Sequence, residues 1–311
     1  IGACNAAIDF YKENDDQPFP NPTEKDQANL ARIKGELYFM KAFAYFYAVR
    51  VFGPSPASPE FETLKVLPVR NEFPKDIEQA NKVEFGTASQ IYDIVLNNLD
   101  VAMQLLPEQY IAGLHHPSYQ YGRANKIAAS VLLMRVYFQL GEFQKALDQC
   151  NYVIGSGYYS LNQDPIEAFN HSDPGQGNEV IWYALYYDDI AESIAKVFTS
   201  MNKSHYTAIN GGRGADWSRC PWNQFCMSHS GAQYIGWMDE NLDITDEAMH
   251  DKRYLQLYYP LEGNNGDPQA DPTIYETQYA HIKEPYIWGD KYFRGVDGRY
   301  TNVPIMRLAE V

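Results

Sequence analysis

Two apolar helical segments between residues 124 and 155, separated by Gly141, constrain the fold of this chain most strongly. The first segment carries Tyr137 four residues before the glycine, and the second carries Ala146 five residues after it. A glycine between two helices supplies the positive φ at which the first helix ends. The aromatic ring fills the space between the helices, and the small alanine allows them to approach closely. The pattern therefore predicts a tightly packed helical hairpin.

The spacing of Tyr137, Gly141 and Ala146 is that of a tetratricopeptide (TPR) hairpin. Such a hairpin cannot bury its apolar faces alone, so it packs against neighbouring helices. We therefore expect a scaffold of helix pairs rather than an isolated motif.

A long helix is predicted upstream, where apolar residues recur at alternating intervals of three and four. Its first face contains Leu30, Ile33, Leu37, Met40, Ala44, Tyr47 and Val51. A second face contains Phe39, Phe43 and Phe46, so the helix should be buried on both sides. Gly53 and Pro54 should end it.

Residues 54–86 are rich in proline and turn-forming residues and are predicted to be a surface loop. Thr87 and Gln90 form a capping box for a helix over residues 88–106. Its core-facing stripe comprises Ile91, Ile94, Val95, Leu99, Ala102 and Leu106.

Residues 108–122 are predicted to be another loop, which contains His115 and His116. No third metal ligand has suitable spacing, so both histidines are expected to be solvated.

Four sequence blocks occur in an informative order. They are an aromatic-rich helix ending in Phe52-Gly53-Pro54-Ser55-Pro56, a segment from Tyr92-Asp93 to Leu105-Leu106-Pro107, a segment from Gly122-Arg123-Ala124 to Lys145-Ala146, and Pro304-Ile305-Met306-Arg307-Leu308-Ala309-Glu310-Val311. Together they resemble the SusD/RagB family of nutrient-binding lipoproteins exposed on the Gram-negative outer membrane. The resemblance covers most of residues 1–161 and resumes near 246–253 and 288–311. Lys41 and Met134 depart from the family pattern, which has arginine and a small residue there.

The resemblance implies three regions. Residues 1–161 form the helical region with its hairpin at about 124–155, residues 162–303 form a loop-rich ligand-binding region, and residues 304–311 begin a further helix. Cys4 resembles part of an internal helix rather than a lipid-bearing N-terminus. We therefore expect the chain to be the interior of a longer protein, with the lipid anchor outside it.

Composition excludes several classes of function. The net charge of −15 opposes binding to nucleic acid or to anionic lipid. No run of about 18 apolar residues is present that could span a membrane. Four cysteines are too few for a disulfide scaffold of this size, and their spacing does not indicate zinc. No cofactor is expected.

The candidate ligand site lies in an aromatic-rich, poorly periodic stretch from residue 206 to 237. Flat sugar rings stack on tryptophan and tyrosine, while amides, arginine and carboxylates bind their hydroxyl groups. The candidate residues are Tyr206, Asn210, Arg213, Asp216, Trp217, Trp222, Asn223 and Trp237. Any single aromatic here is better explained by packing, but the segment as a whole favours a site.

Catalysis has weaker support. Asp188-Asp189 and Asp239-Glu240 could form a carboxylate pair for glycoside hydrolysis or bind calcium. Acidic residues are common in this chain, however, and adjacency in sequence does not set the separation that a hydrolase needs. No nucleophile elbow or phosphate-binding loop is present.

We therefore predict a mostly α fold, with TPR-like hairpins as scaffold and a few short strands in the ligand-binding region. A β-prone run at residues 180–187 is one such strand. The resemblance implies non-catalytic capture of an oligosaccharide on the extracellular face of the outer membrane, and its delivery to a SusC-type TonB-dependent transporter. Peptide capture by the same apparatus, a protein-binding TPR scaffold and an all-α glycosidase remain alternatives.

Overall fold

The computed structural model describes residues 1–168, 178–184, 226–261, 286–289 and 303–311. The chain divides into two compact units, of which the first contains Ile1–Tyr159 with Leu308–Val311, and the second contains Ser160–Arg307. The described parts are mostly helical with a few short strands, so the predicted fold class is confirmed.

The first unit is built from helices and one small sheet. Its helices are α1 (Gly2–Glu13), α2 (Glu24–Phe52), α3 (Ile77–Asn81), α4 (Ala88–Leu105), α5 (Lys126–Leu140) and α6 (Phe143–Gly155). Its strands are β1 (Lys65–Val69) and β2 (Glu84–Thr87), which pair antiparallel.

Helix α2 ends at Gly53 as predicted, and Phe39 and Phe46 of its predicted second face are buried, but burial on both faces is not complete. Thr23 and Asp26 form a capping box at its start, and Gly53 ends it. The buried face contains Gly35, Glu36, Phe39, Ala42, Tyr45, Phe46 and Val49. The predicted first face is partly exposed, since Met40 is 41% and Val51 is 71% exposed. Small residues explain the difference, because Gly35 and Ala42 allow a neighbouring helix to approach this side.

Helix α4 is that neighbour and runs antiparallel to α2. A Cβ atom placed on Gly35 would lie 2.9 Å from Leu106 Cγ, just beyond the end of α4. Farther along α2, the rings of Phe46 and Tyr92 meet edge to face at 6.3 Å. The predicted Thr87 capping box at the start of α4 is confirmed, and its core-facing stripe is buried except for the half-buried Ile94.

The α5–α6 hairpin matches its prediction closely. Gly141 has φ +77°, and the N–H of Glu142 donates to the carbonyl of Tyr137 at 2.9 Å. Ala146 is 5% exposed, which fits a small residue at a close helix contact. Asn125 starts α5, since its Oδ1 accepts from the N–H of Ala128 at 2.8 Å.

Residues 54–86 contain more regular structure than the predicted loop. They hold β1, α3 and most of β2, with Leu67 opposite Gly86 and Val69 opposite Glu84. The prolines and turn residues hide this pairing, because the partner strands are far apart in sequence and each is short.

The end of the chain also differs in part from the expected helix. Residues 303–307 form a strand, and helical geometry begins only with the 3₁₀ turn Leu308–Glu310. That turn is held to α5 by Arg135, whose Nε and Nη2 donate to Glu310 at 2.9 and 2.7 Å. A two-point contact of this kind fixes both position and orientation.

The second unit contains short elements. Two strands, β3 (Val180–Ala184) and β7 (Val303–Arg307), pair antiparallel, so the predicted strand in the run at 180–187 is present. A second sheet has the order β4 (Cys226–Met227), β6 (Tyr286–Gly289) and β5 (Tyr258–Leu261). Its short helices are α7 (His229–Tyr234), α8 (Asp246–His250) and α9 (Lys252–Leu257).

The close approach of α2 and α4 yields a stability prediction. Alanine is intrinsically better than glycine in a helix by about 1 kcal/mol, whereas overpacking a tight contact costs about 1–3 kcal/mol. Because the new methyl group of Gly35→Ala would meet both Leu105 and Leu106 within 3.1 Å, we expect the overpacking cost to exceed the helix-propensity gain, with a net loss of up to about 2 kcal/mol in the free energy of unfolding.

The matched control is Gly155→Ala at the end of α6, where an added Cβ meets no atom within 4 Å. Urea unfolding of both variants makes the comparison. Equal effects of the two substitutions would contradict the packing that we describe.

Candidate functional site

Most of the predicted ligand-binding residues lie outside the described residues. They are Tyr206, Asn210, Arg213, Asp216, Trp217, Trp222 and Asn223. Their assignment to a ligand site stays a prediction. Trp237 is the member of the set that the structure describes.

Trp237 lies in the apolar cluster of the second unit. It is 3% exposed and packs with Ala232, Met238, Ala248 and Tyr254. Its ring meets that of Tyr254 at 5.5 Å between centroids, and its Nε1 donates to Asp251 Oδ2 at 3.1 Å. Hydrogen bonds from Arg253, and then from Trp237, hold the pKa of the Asp251 carboxyl below its usual range. This environment favours the packing role over ligand stacking for Trp237.

An open groove of about 860 Å³ is present in the first unit, between the β1–β2 sheet and α4. Its apolar lining comes from Val69, Val83, Phe85 and Ile94. Its polar lining comes from Lys65, Glu84, Gln90 and Asp93. Gly86 of β2 also lines it. We call this feature the strand–helix groove. Its volume falls within the range of known small-molecule sites, about 300–1,000 Å³.

Local sequence positions the walls of the strand–helix groove. The capping box fixes Gln90, because the N–H of Thr87 donates to Gln90 Oε1 at 3.0 Å. Gly86 allows the strand to lie against its neighbour, since a Cβ there would be 2.7 Å from Val69 Cγ2. The groove was not predicted, because residues 54–86, which hold β1 and most of β2, have the composition of a surface loop.

A buried charged cluster centres on Glu36 of α2. Arg32 Nη1 donates to Glu36 Oε1 at 2.9 Å, and Arg123 pairs with the other carboxylate oxygen. Burial raises the pKa of Glu36, while the two guanidinium groups act in the opposite direction. The Arg32 guanidinium also lies 4.8 Å from the centroid of the Tyr119 ring. The cluster ties α2 to the segment that precedes α5, which is a structural role.

The prediction that His115 lies in a solvated loop is wrong. His115 is 4% exposed, its ring packs against Tyr119, and its Nδ1 accepts from the N–H of Ile111 at 2.9 Å. Burial lowers its pKa, with a smaller contribution from Arg32. His116 is exposed, and its Nδ1 accepts from the N–H of Ser118 at the start of a 3₁₀ turn. Both histidines therefore organise the chain locally.

A group of tyrosines surrounds Glu108 at the base of the hairpin. The hydroxyl groups of Tyr152 and Tyr158 donate to its two carboxylate oxygens at 2.9 and 3.0 Å. These bonds hold the pKa of Glu108 below its usual range. Burial, followed by the hydrogen bond to Glu108, raises the pKa of Tyr152 to about 12. The tyrosines thus connect α6 and the following turn to the segment after α4.

The carboxylate pairs named in the sequence analysis do not form a described site. Asp188-Asp189 lies outside the described residues. Asp239 Oδ1 accepts from the N–H groups of Asn241 and Asp243, both at 2.8 Å, so it shapes a turn. Within the described ranges, no three histidine, cysteine or acidic side chains are grouped so that they could hold a metal ion.

Comparison with known proteins identifies relatives of the helical region. The sequence profile of a SusD-like family, described as "Starch-binding associating with outer membrane", matches residues 16–138. SusD-like protein P2 from Formosa agariphila is 24% identical over 143 residues, which are 45% of this chain and 24% of that protein.

Solved structures share the fold over nearly the whole chain. A SusD superfamily protein from Bacteroides thetaiotaomicron has a TM-score of 0.63 and 20% identity, and the alignment covers 99% of this chain and 57% of that one. A SusD-like carbohydrate binding protein from Bacteroides vulgatus has a TM-score of 0.66 and 16% identity, and the alignment covers 99% of this chain and 53% of that one. This chain therefore spans just over half the length of these two structures.

The fold is the mostly helical one that these SusD superfamily structures share. The resemblance to the SusD/RagB family that the sequence motifs carry is confirmed by the match of residues 16–138 to the SusD-like family and by the similarity to SusD-like protein P2. No helix in the described part of the chain is both long enough and apolar enough to cross a membrane.

Proposed function

We propose that this protein captures a nutrient oligosaccharide at the bacterial outer membrane without cleaving it. The match of residues 16–138 to a family described as starch-binding and associated with the outer membrane carries this proposal. One relative of the same fold is itself described as a carbohydrate binding protein.

The ligand site that we propose is the aromatic-rich segment containing Trp217 and Trp222. A tryptophan face can stack on the C–H groups of a sugar ring, and nearby Asn210, Arg213 and Asp216 can bind the hydroxyl groups. The buried Trp237 would support this segment by anchoring the unit in which it lies. Binding by stacking and hydrogen bonds requires no nucleophile or acid–base pair, so the proposed role is non-catalytic.

The proposed partner is a SusC-type TonB-dependent transporter, to which the captured ligand would pass. We further propose attachment to the extracellular face of the outer membrane through a lipid. These two features follow from the family resemblance, and they would place ligand capture directly beside the route of uptake.

Substitution of single tryptophans tests the proposed ligand site. If Trp217 or Trp222 stacks on the sugar, its change to alanine should weaken binding by about 1–3 kcal/mol and leave the melting temperature nearly unchanged. Isothermal calorimetry and thermal melting of the same samples provide both measurements.

Trp237→Ala is the matched control, because the lost ring is buried. Removing it should lower stability by about 3–5 kcal/mol, and binding should fall only with the folded fraction. The proposed site is wrong if Trp217→Ala and Trp222→Ala instead lower stability while the folded fraction of each variant binds with unchanged affinity.

Isolation from native membranes tests the proposed partner. Extraction in mild detergent should yield this protein together with a large β-barrel transporter in stoichiometric amount, as identified by mass spectrometry. A buffer wash without detergent serves as the control and should release little of it. Recovery of unpartnered protein in the soluble fraction would contradict both the partner and the membrane attachment.

A further inference from the structure

The strand–helix groove lies in the first unit and is separate in sequence from the segment proposed to bind the ligand. All of its lining residues lie between Lys65 and Ile94. The site proposed at Trp217 and Trp222 therefore does not involve this groove. Its volume of about 860 Å³ is in the range of small-molecule sites.

Phe85 gives the groove an exposed aromatic surface. It is 49% exposed although it lies on a strand, opposite Pro68 of β1. About half of the surface of this large aromatic side chain remains exposed to water and is therefore available for contact with a ligand. The flat face of such a ring can pack on the C–H groups of a pyranose, and the neighbouring Val83 extends the apolar surface.

Hydrogen-bond donors and acceptors both line the groove that Phe85 lines. The carboxylates of Glu84 and Asp93 accept hydrogen bonds, and the ammonium group of Lys65 donates them. The amide nitrogen of Gln90 takes no part in the capping hydrogen bonds, so it can also donate. A sugar hydroxyl both donates and accepts, and therefore matches such a mixed set.

The charges of the groove select among sugars. Two carboxylates and one ammonium group line it, and the whole chain has a net charge of −15. A uronic acid or a sulfated sugar would be repelled by this arrangement. Neutral sugars avoid that repulsion and can still form hydrogen bonds with these polar side chains.

We propose that the strand–helix groove is a second binding site, specific for neutral oligosaccharides. This inference rests on the proposed function, because it takes the ligand to be a glycan. The groove would then bind such a glycan with residues of the first unit alone.

Hydrogen–deuterium exchange of the intact protein locates binding along the chain. The probes are a panel of neutral oligosaccharides (malto-, xylo-, manno- and galacto-oligosaccharides) and, as a charged comparison, oligogalacturonate of similar length. We expect at least one neutral probe to slow exchange in peptides that cover residues 83–94. Oligogalacturonate should leave those peptides unchanged.

Variants assign the effect to the groove. Phe85→Ala and Asp93→Asn change exposed side chains, so both proteins should fold normally, and each should weaken binding at residues 83–94 by at least about fivefold. Phe73→Ala is the matched control, because Phe73 is 47% exposed and does not line the groove. It should bind as the unsubstituted protein does.

The outcomes separate this inference from the proposed function. Protection confined to other segments, or protection at 83–94 that survives Phe85→Ala, would overturn the second site and leave glycan capture standing. Equal protection by oligogalacturonate would overturn the specificity for neutral sugars. Absence of protection anywhere in the chain, with every neutral probe, would overturn both proposals.

Discussion

The close contact between α2 and α4 is the constraint on which the first unit depends. Gly35 allows this contact at one end, and the Phe46–Tyr92 pair occupies its middle. Near the other end, a Cβ on Gly53 would lie 3.6 Å from Ala88 Cβ, so the start of α4 is held against the end of α2. The strand–helix groove is built on that start, through the Thr87 capping box and Gly86.

Local signals in the sequence predicted much of this unit. Gly141, the Thr87 capping box and the end of α2 at Gly53 each depend on residues that are close together in the chain. A helix cap or a positive φ depends on a few neighbouring residues, so both can be predicted from the local sequence. The helical hairpin and the mostly α fold followed from these signals.

Features that depend on distant residues were harder to predict. The buried face of α2 is decided by where α4 can approach, and apolar residues on several sides of the helix conceal that choice. Strands β1 and β2 are short and separated by α3, so their pairing left no periodic pattern. His115 is buried because Tyr119 and the backbone of Ile111 surround it, which a loop-like sequence does not reveal.

The candidate ligand sites likewise include one that the sequence indicated and one that only the structure revealed. Composition directed attention to the aromatic segment that ends at Trp237, but aromatics serve packing and binding alike. For Trp237 the described contacts favour packing, whereas the groove beside Phe85 came only from tertiary structure. The similarity of residues 16–138 to a family described as starch-binding is what connects the helices with the proposed glycan capture, which the helices by themselves would not indicate.

The most direct test of glycan capture is calorimetric titration of the intact protein with neutral oligosaccharides, followed by chromatography of the recovered sugar. The account predicts saturable binding of at least one oligosaccharide, whose chain length stays unchanged after hours of incubation. Absence of binding across neutral glycans would contradict the proposed function. Shortened products that disappear when a carboxylate is substituted would show a glycosidase instead of a binding protein.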